Sequence, residues 1–222
     1  MRVVAVIPAY NEEMMIGSVI SSVRPHVNEV VVVDDGSSDA TGGAAREAGA
    51  IVVRHVINRG QGAALQTGMD VACLRQAEII IHIDSDGQHP AEHIPQLIDP
   101  IRKGEADVVL GSRFLQPGSN VPRGRLWVLK AGLLFTRLMT GLRITDPQSG
   151  FRALHVSAAK QLRLQQDRMA HASELLQLLA RHKLTYREVP VVIRYTPYSM
   201  AKGQRSTAAF RILFDLIKGS FL

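Results

Sequence analysis

Two carboxylates flank one small residue in Asp84-Ser85-Asp86, directly after an apolar run at residues 79–83. At the end of a buried strand, such a pair can converge on a single hard cation. Mg²⁺ and Mn²⁺ favour few protein carboxylates, with water and phosphate oxygens completing the shell. A metal there would bridge a diphosphate and neutralise charge developing on a leaving nucleotide. Gln88, two residues further on, offers a carbonyl oxygen. The same residues also suit an Asx-rich turn capping a helix that starts near His89-Pro90. A second acidic cluster, Asp34-Asp35-Gly36-Ser37-Ser38-Asp39, follows another apolar run. Asp35 can accept hydrogen bonds from ribose hydroxyls or a base N–H, while Ser38 or Asp39 is expected to cap the next helix.

These clusters need elements to position them. Apolar runs at residues 3–7, 30–33, 51–53, 79–83 and 108–110 read as strands buried on both faces. Segments 12–23, 39–48, 62–75 and 91–103 lie between them, each able to pack one helix face. The alternation predicts an α/β fold with a mostly parallel central sheet flanked by helices. Ligands of such sheets bind beyond the carboxyl ends of the strands. Pro8-Ala9-Tyr10-Asn11-Glu12, both acidic clusters and Gly111-Ser112-Arg113-Phe114 all follow strands, so one edge should hold them all. The second half changes character: a Gly/Pro-rich loop at 116–124, an apolar and basic segment at 125–139, a helix at 172–182, a strand at 186–195 and an amphipathic helix at 206–222. No repeat or linker divides the chain, which reads as one domain over residues 1–222.

Composition excludes several classes. With 222 residues, 46% hydrophobic and 21% charged, the chain can bury a real core and is not disordered. A single cysteine, Cys73, cannot form an internal disulfide and points to an intracellular protein. The net charge of +6 favours an anionic partner. No nucleic-acid motif accompanies the arginines, so no nucleic-acid partner is expected. No apolar run is long enough to span a bilayer, and the N-terminal stretch reads as a strand rather than a signal peptide. A dinucleotide site would need a glycine-rich turn after the first strand, where this chain has Pro8-Ala9-Tyr10-Asn11-Glu12; Gly60-Gln61-Gly62 follows the third strand instead, and a P-loop is absent.

In order along the chain, Ile7-Pro8-Ala9-Tyr10-Asn11-Glu12, Val33-Asp34-Asp35-Gly36-Ser37, Asn58-Arg59-Gly60-Gln61-Gly62, Asp84-Ser85-Asp86-Gly87-Gln88-His89-Pro90 and Gly111-Ser112-Arg113-Phe114 form one set. This set resembles the family 2 glycosyltransferases of GT-A fold, above all the dolichyl- or polyprenyl-phosphate mannose and glucose synthases. Asp146-Pro147-Gln148-Ser149-Gly150-Phe151 and Glu188-Val189-Pro190-Val191 extend the likeness. The resemblance implies a UDP- or GDP-linked sugar donor, inversion at the anomeric carbon, and Mg²⁺ or Mn²⁺ held by Asp84, Asp86 and Gln88. It implies that Pro8, Tyr10, Glu12, Asp35 and Asp84 line the nucleotide pocket, with residues 1–115 as the nucleotide-sugar half and 116–205 as the acceptor half. The segment from Tyr195 to Arg205 departs from the Gly-x-Ser-Lys of mannose synthases, so mannose in particular is not implied.

A hydroxyl acceptor needs a general base. A phosphate monoester, with a second pKa of about 6, brings its own oxyanion and needs cations to position it. Arg113, Arg125, Lys130, Arg143, Arg152, Lys202 and Arg205 supply them. The resemblance points to Arg113 and Arg125 for the acceptor phosphate; charge alone adds Lys202 and Arg205. Any one of these can equally be a solvated surface cation. The expected enzyme transfers a hexose to polyprenyl phosphate at the cytoplasmic membrane face. One alternative is a soluble transferase with a hydroxyl acceptor, for which Glu174, then Asp146, would be the base; another is a non-catalytic nucleotide-sugar binder. Either carboxylate can be structural, Glu174 through the helix dipole. Segments 126–139, which carries Trp127, and 210–218 suit interfacial helices meeting lipid or a small membrane partner protein; packing against the sheet or a partner subunit is the alternative, above all for the first. His82, inside an apolar strand, is expected to be a satisfied core residue.

Overall fold

The computed structural model describes residues 1–119, 121, 132–134, 136–168, 170–196 and 198–199. The apolar runs become β1 (Val3–Ala9), β2 (Glu29–Asp34), β3 (Ile51–Arg54), β4 (Ile79–His82) and β5 (Val108–Ser112). Two further strands, β6 (Arg152–His155) and β7 (Tyr186–Pro190), complete one seven-stranded sheet in the order β3-β2-β1-β4-β6-β5-β7. Six strands run one way; β6 lies antiparallel between β4 and β5.

The helices are α1 (Ile16–Val23), α2 (Thr41–Glu47), α3 (Gln61–Leu74), α4 (Ile94–Arg102), α5 (Val156–Gln161) and α6 (His171–Arg181). Every residue of β1 and β4 is buried because helices cover both faces of the sheet. Val3, Ala5 and Ile7 point into the layer made with α1 and α4. Val4 and Val6 point into the layer made with α3, α5 and α6. No helix among the described residues is long and apolar enough to cross a membrane.

Several expectations need correction. The helix expected from residue 12 begins at Ile16, because the Met15 and Ile16 N–H groups close a turn on the Glu12 carbonyl at 3.0 and 2.9 Å. Neither Ser38 nor Asp39 is the N-cap of α2; Ala40 is. Glu13 Oε2 accepts the Ala40 N–H at 2.9 Å and Asp39 Oδ1 accepts the Thr41 N–H at 3.0 Å. The strand expected over 186–195 ends at Pro190. The short pair β6 and α5 went unpredicted. Arg125, Lys130, Lys202, Arg205, Trp127 and the helix expected at 206–222 lie outside the described residues.

The glycines after β3, out of place for a dinucleotide, serve a close backbone approach. The Gly62 and Ala63 N–H groups donate to the Asp167 carbonyl at 2.8 and 3.2 Å, capping α3 from a distant loop. A Cβ on Gly62 would stand 1.9 Å from the Gln166 carbonyl oxygen. Gly62→Ala is therefore expected to cost about 1–3 kcal/mol, lowering the midpoint of thermal unfolding by several degrees; an unchanged midpoint would contradict the contact.

Candidate active site

The carboxyl ends of β1, β2, β4 and β5 open onto a cleft of about 390 Å³. Pro8, Tyr10 and Glu12 reach it from β1, Asp35 from β2, Asp84, Asp86 and Gln88 from β4, and Arg113 from β5. The sheet edge thus gathers these residues as expected. Arg152, one of the cations named for an acceptor phosphate, also lines the cleft, and Gln61, His89 and His171, which were given no role beforehand, join them.

Asp84 is held on both sides. Gln61 Nε2 donates to its Oδ1 at 2.8 Å, and His89 Nε2 lies 3.1 Å from its Oδ2. Gly150 lies against the same carboxylate: a Cβ there would sit 2.5 Å from Oδ2, so only glycine lets this turn approach. Burial opposes charging Asp84, but the His89 hydrogen bond and the neighbouring His89, His171 and Arg152 hold its carboxyl below the ordinary range. Asp86 goes the other way. Burial and the Asp84 charge push its carboxyl up to about 6, against a lowering hydrogen bond from the Gln88 N–H at 3.0 Å.

Asp35, expected to meet ribose or base, spends its oxygens on the protein. Oδ1 lies 2.6 Å from His55 Nδ1 and accepts the Arg59 N–H at 2.9 Å; Oδ2 accepts the Gly60 N–H at 2.6 Å. It thereby fixes one wall of the cleft, which Tyr10, 47% exposed, also lines. Glu12 Oε2 accepts from the Tyr198 hydroxyl at 2.7 Å.

At the other end of the cleft, the Ser112 hydroxyl lies 2.7 Å from that of Thr145. Glu188 on β7 accepts the Thr145 and Asp146 N–H groups at 2.9 and 3.1 Å. These contacts fix Asp146, whose Oδ2 lies 2.5 Å from Arg113 Nε. Arg113 also donates to the Tyr195 hydroxyl. Arg113 is thus in the cleft but already paired, and Asp146 is engaged with it. Arg143 is on the exposed surface.

Glu174 does not line the cleft. Its two carboxylate oxygens accept the N–H groups of Gln165 and Gln166 at 2.8 and 2.9 Å, which anchors the loop before α6. His82 is a core residue but not a satisfied one: both ring nitrogens are buried without a partner. Burial and the Arg152 charge push its pKa down to about 3, so the ring is neutral. His171 falls to about 4, chiefly through burial, with its Nδ1 2.8 Å from the Arg168 carbonyl. Arg152 also feels its burial, to about 10, and remains cationic at neutral pH.

The family model of glycosyl transferase family 2 matches residues 4–163. The chain belongs to this family. It is 40% identical to an uncharacterised protein of Methanocaldococcus jannaschii over 97% of this chain and 91% of that protein. It is 36% identical to the UDP-N-acetylglucosamine–dolichyl-phosphate N-acetylglucosaminyltransferase of Methanococcus voltae, over 96% and 93% of the two chains. Glucosyl-3-phosphoglycerate synthase from Mycobacterium tuberculosis, solved with Mn²⁺, UDP and glucosyl-3-phosphoglycerate, superposes with a TM-score of 0.71 at 26% identity, over 97% of this chain and 79% of that one. The fold is GT-A and the protein is a glycosyltransferase, resembling the polyprenyl-phosphate sugar synthases.

The raised Asp86 carboxyl sets a pH dependence. Its folded value of about 6 exceeds the ordinary 3.8, so between those values the folded chain binds more protons than the unfolded one. Charged Asp86 therefore costs stability above pH 6, and the cost fades as pH falls toward 4. Without metal, Asp86→Asn should stabilise the fold at pH 7.5 by about 1–2 kcal/mol, allowing for partial exposure. That gain should shrink below pH 6 in denaturant titrations; a pH-independent effect would contradict it.

Proposed function

We propose that this glycosyltransferase moves a hexose from a UDP- or GDP-linked sugar to a polyprenyl phosphate, with inversion, at a membrane face. The observation that carries the reading is the order of groups along the sheet edge. Asp35 after β2 and Tyr10 after β1 stand at one end, Asp84 and Asp86 after β4 in the middle, and Arg152 on β6 and Arg113 after β5 at the other. A nucleoside, a diphosphate and an anionic acceptor fit that sequence of chemistries. Residues 1–115 would then receive the donor, and residues 116–205 the acceptor.

The donor set fits Mg²⁺ or Mn²⁺. Asp84, Asp86 and the Gln88 carbonyl would hold the ion. Two carboxylates and one carbonyl leave coordination positions for water and phosphate oxygens, as these ions favour. When bound, the ion supplies charge neutralisation for the departing nucleoside diphosphate. Gln61 and His89 fix the Asp84 carboxylate. The exposed Tyr10 ring offers a stacking face for the base, and Asp35 stiffens the loop beside it.

Among the described residues, neither candidate base is free at the acceptor end: Glu174 serves the backbone and Asp146 is tied to Arg113. A phosphate monoester needs none. The Methanococcus voltae relative, whose name records a dolichyl-phosphate acceptor, supports the same choice. Leu134 and Leu138, four residues apart, are 62% and 77% exposed and suit contact with a lipid surface. The Mycobacterium tuberculosis complex with glucosyl-3-phosphoglycerate favours a second reading, a non-lipid acceptor.

Incubation with Mn²⁺, labelled UDP- or GDP-sugars and polyprenyl phosphate is expected to carry label into the lipid phase. Asp84→Asn or Asp86→Asn should lower that transfer at least about 100-fold. Label entering only water-soluble products, together with a large loss in Glu174→Gln, would overturn the lipid acceptor in favour of a hydroxyl.

A further inference from the structure

Arg152 opens β6 on the floor of the cleft, opposite His82 of β4 on one side and Leu110 of β5 on the other. It is only 2% exposed, yet it lines the cleft. Its guanidinium donates no hydrogen bond and forms no ion pair with the described residues. Asp84 and Asp146 attract it through space, but neither pairs with it. Arg113, the other arginine that lines the cleft among the described residues, is already bound to Asp146 and Tyr195.

A buried charge without a bonded partner is costly, by several kcal/mol. An anion entering the cleft would offset that cost. The flat guanidinium fork matches two oxygens of one phosphate, which a lysine ammonium cannot do. The position narrows the choice further: along the sheet edge, Arg152 comes directly after the acidic turn of β4 and before Arg113 of β5. Its placement there depends on the antiparallel run of β6, which delivers the first residue of that strand, rather than the last, to the functional edge.

We propose that Arg152 grips a substrate phosphate oxygen immediately beyond Asp84, on the acceptor side of the cleft. The inference rests on the reading of this cleft as a site of sugar transfer to a phosphate. Two phosphates meet at such a place, the diphosphate that leaves and the monoester that attacks, and both present the same oxyanion chemistry.

The test uses the full chain with Mn²⁺ and compares wild type with Arg152→Lys and Arg152→Gln. Lysine keeps the charge that balances Asp84 and Asp146 but removes the fork. Calorimetric titrations with UDP, GDP and a short-chain polyprenyl phosphate read each phosphate separately, beside thermal unfolding of each variant. The expected result is an Arg152→Lys variant that unfolds near the wild-type midpoint and binds one of these phosphates at least about tenfold more weakly. Weaker nucleoside diphosphate binding assigns the contact to the donor; weaker monoester binding with unchanged diphosphate assigns it to the acceptor. Arg152→Lys binding both within twofold of wild type would overturn the proposal and leave Arg152 a counter-charge only. If the wild-type chain neither binds nor glycosylates the polyprenyl phosphate, the lipid acceptor fails on its own, and the diphosphate titrations alone decide on Arg152. Should Arg152→Gln fail to fold, the lysine variant carries the comparison.

Discussion

Asp84 and Asp86 stand one residue apart on a buried turn, and charging both there is opposed by burial and by their mutual repulsion. Much of the surrounding structure answers that constraint. Gln61 and His89 hold the Asp84 carboxylate, and Gly150 leaves it room, so that this group stays ionised while its neighbour carries the strain. The result is a turn that is electrostatically incomplete by itself. A site of this kind costs the empty protein stability and returns it when positive charge arrives, the usual exchange between stability and function at an active centre.

The opposite charge is distributed just as unevenly. Arg113 is locked by Asp146, and Asp146 is locked in turn by the Glu188 scaffold on β7. Arg152 is buried and, among the described residues, unbonded beside two neutral imidazoles. One arginine therefore builds the cleft wall, while the other is available to a ligand. The chain separates these roles by topology. Arg113 follows a parallel strand, and Arg152 begins the antiparallel one inserted beside it.

Much of this was legible in the residues. Long apolar runs such as Ile79-Ile80-Ile81 can hardly be anything but buried strands, and polar turns after them fall on one edge by the geometry of a parallel sheet. Short elements were not legible. Arg152-Ala153-Leu154-His155 has polar residues at both ends and no period, so only its pairing with β4 and β5 makes it a strand. Long-range partners were equally hidden: nothing near Glu174 in sequence announces that it holds the N–H groups of residues 165 and 166, nor does Ala40 look like a cap. His82 was read as satisfied because buried polar groups nearly always are; its position against Arg152 becomes visible only when β6 is in place.

The central claim is that the Asp84–Asp86 turn is completed by a divalent cation that also holds the donor diphosphate. Anomalous diffraction from crystals grown with Mn²⁺ and a nucleoside diphosphate tests it most directly. The account predicts one manganese peak in contact with the carboxylates of this turn, with diphosphate oxygens completing its shell. A well-ordered diphosphate in the cleft with no manganese at those carboxylates would contradict it.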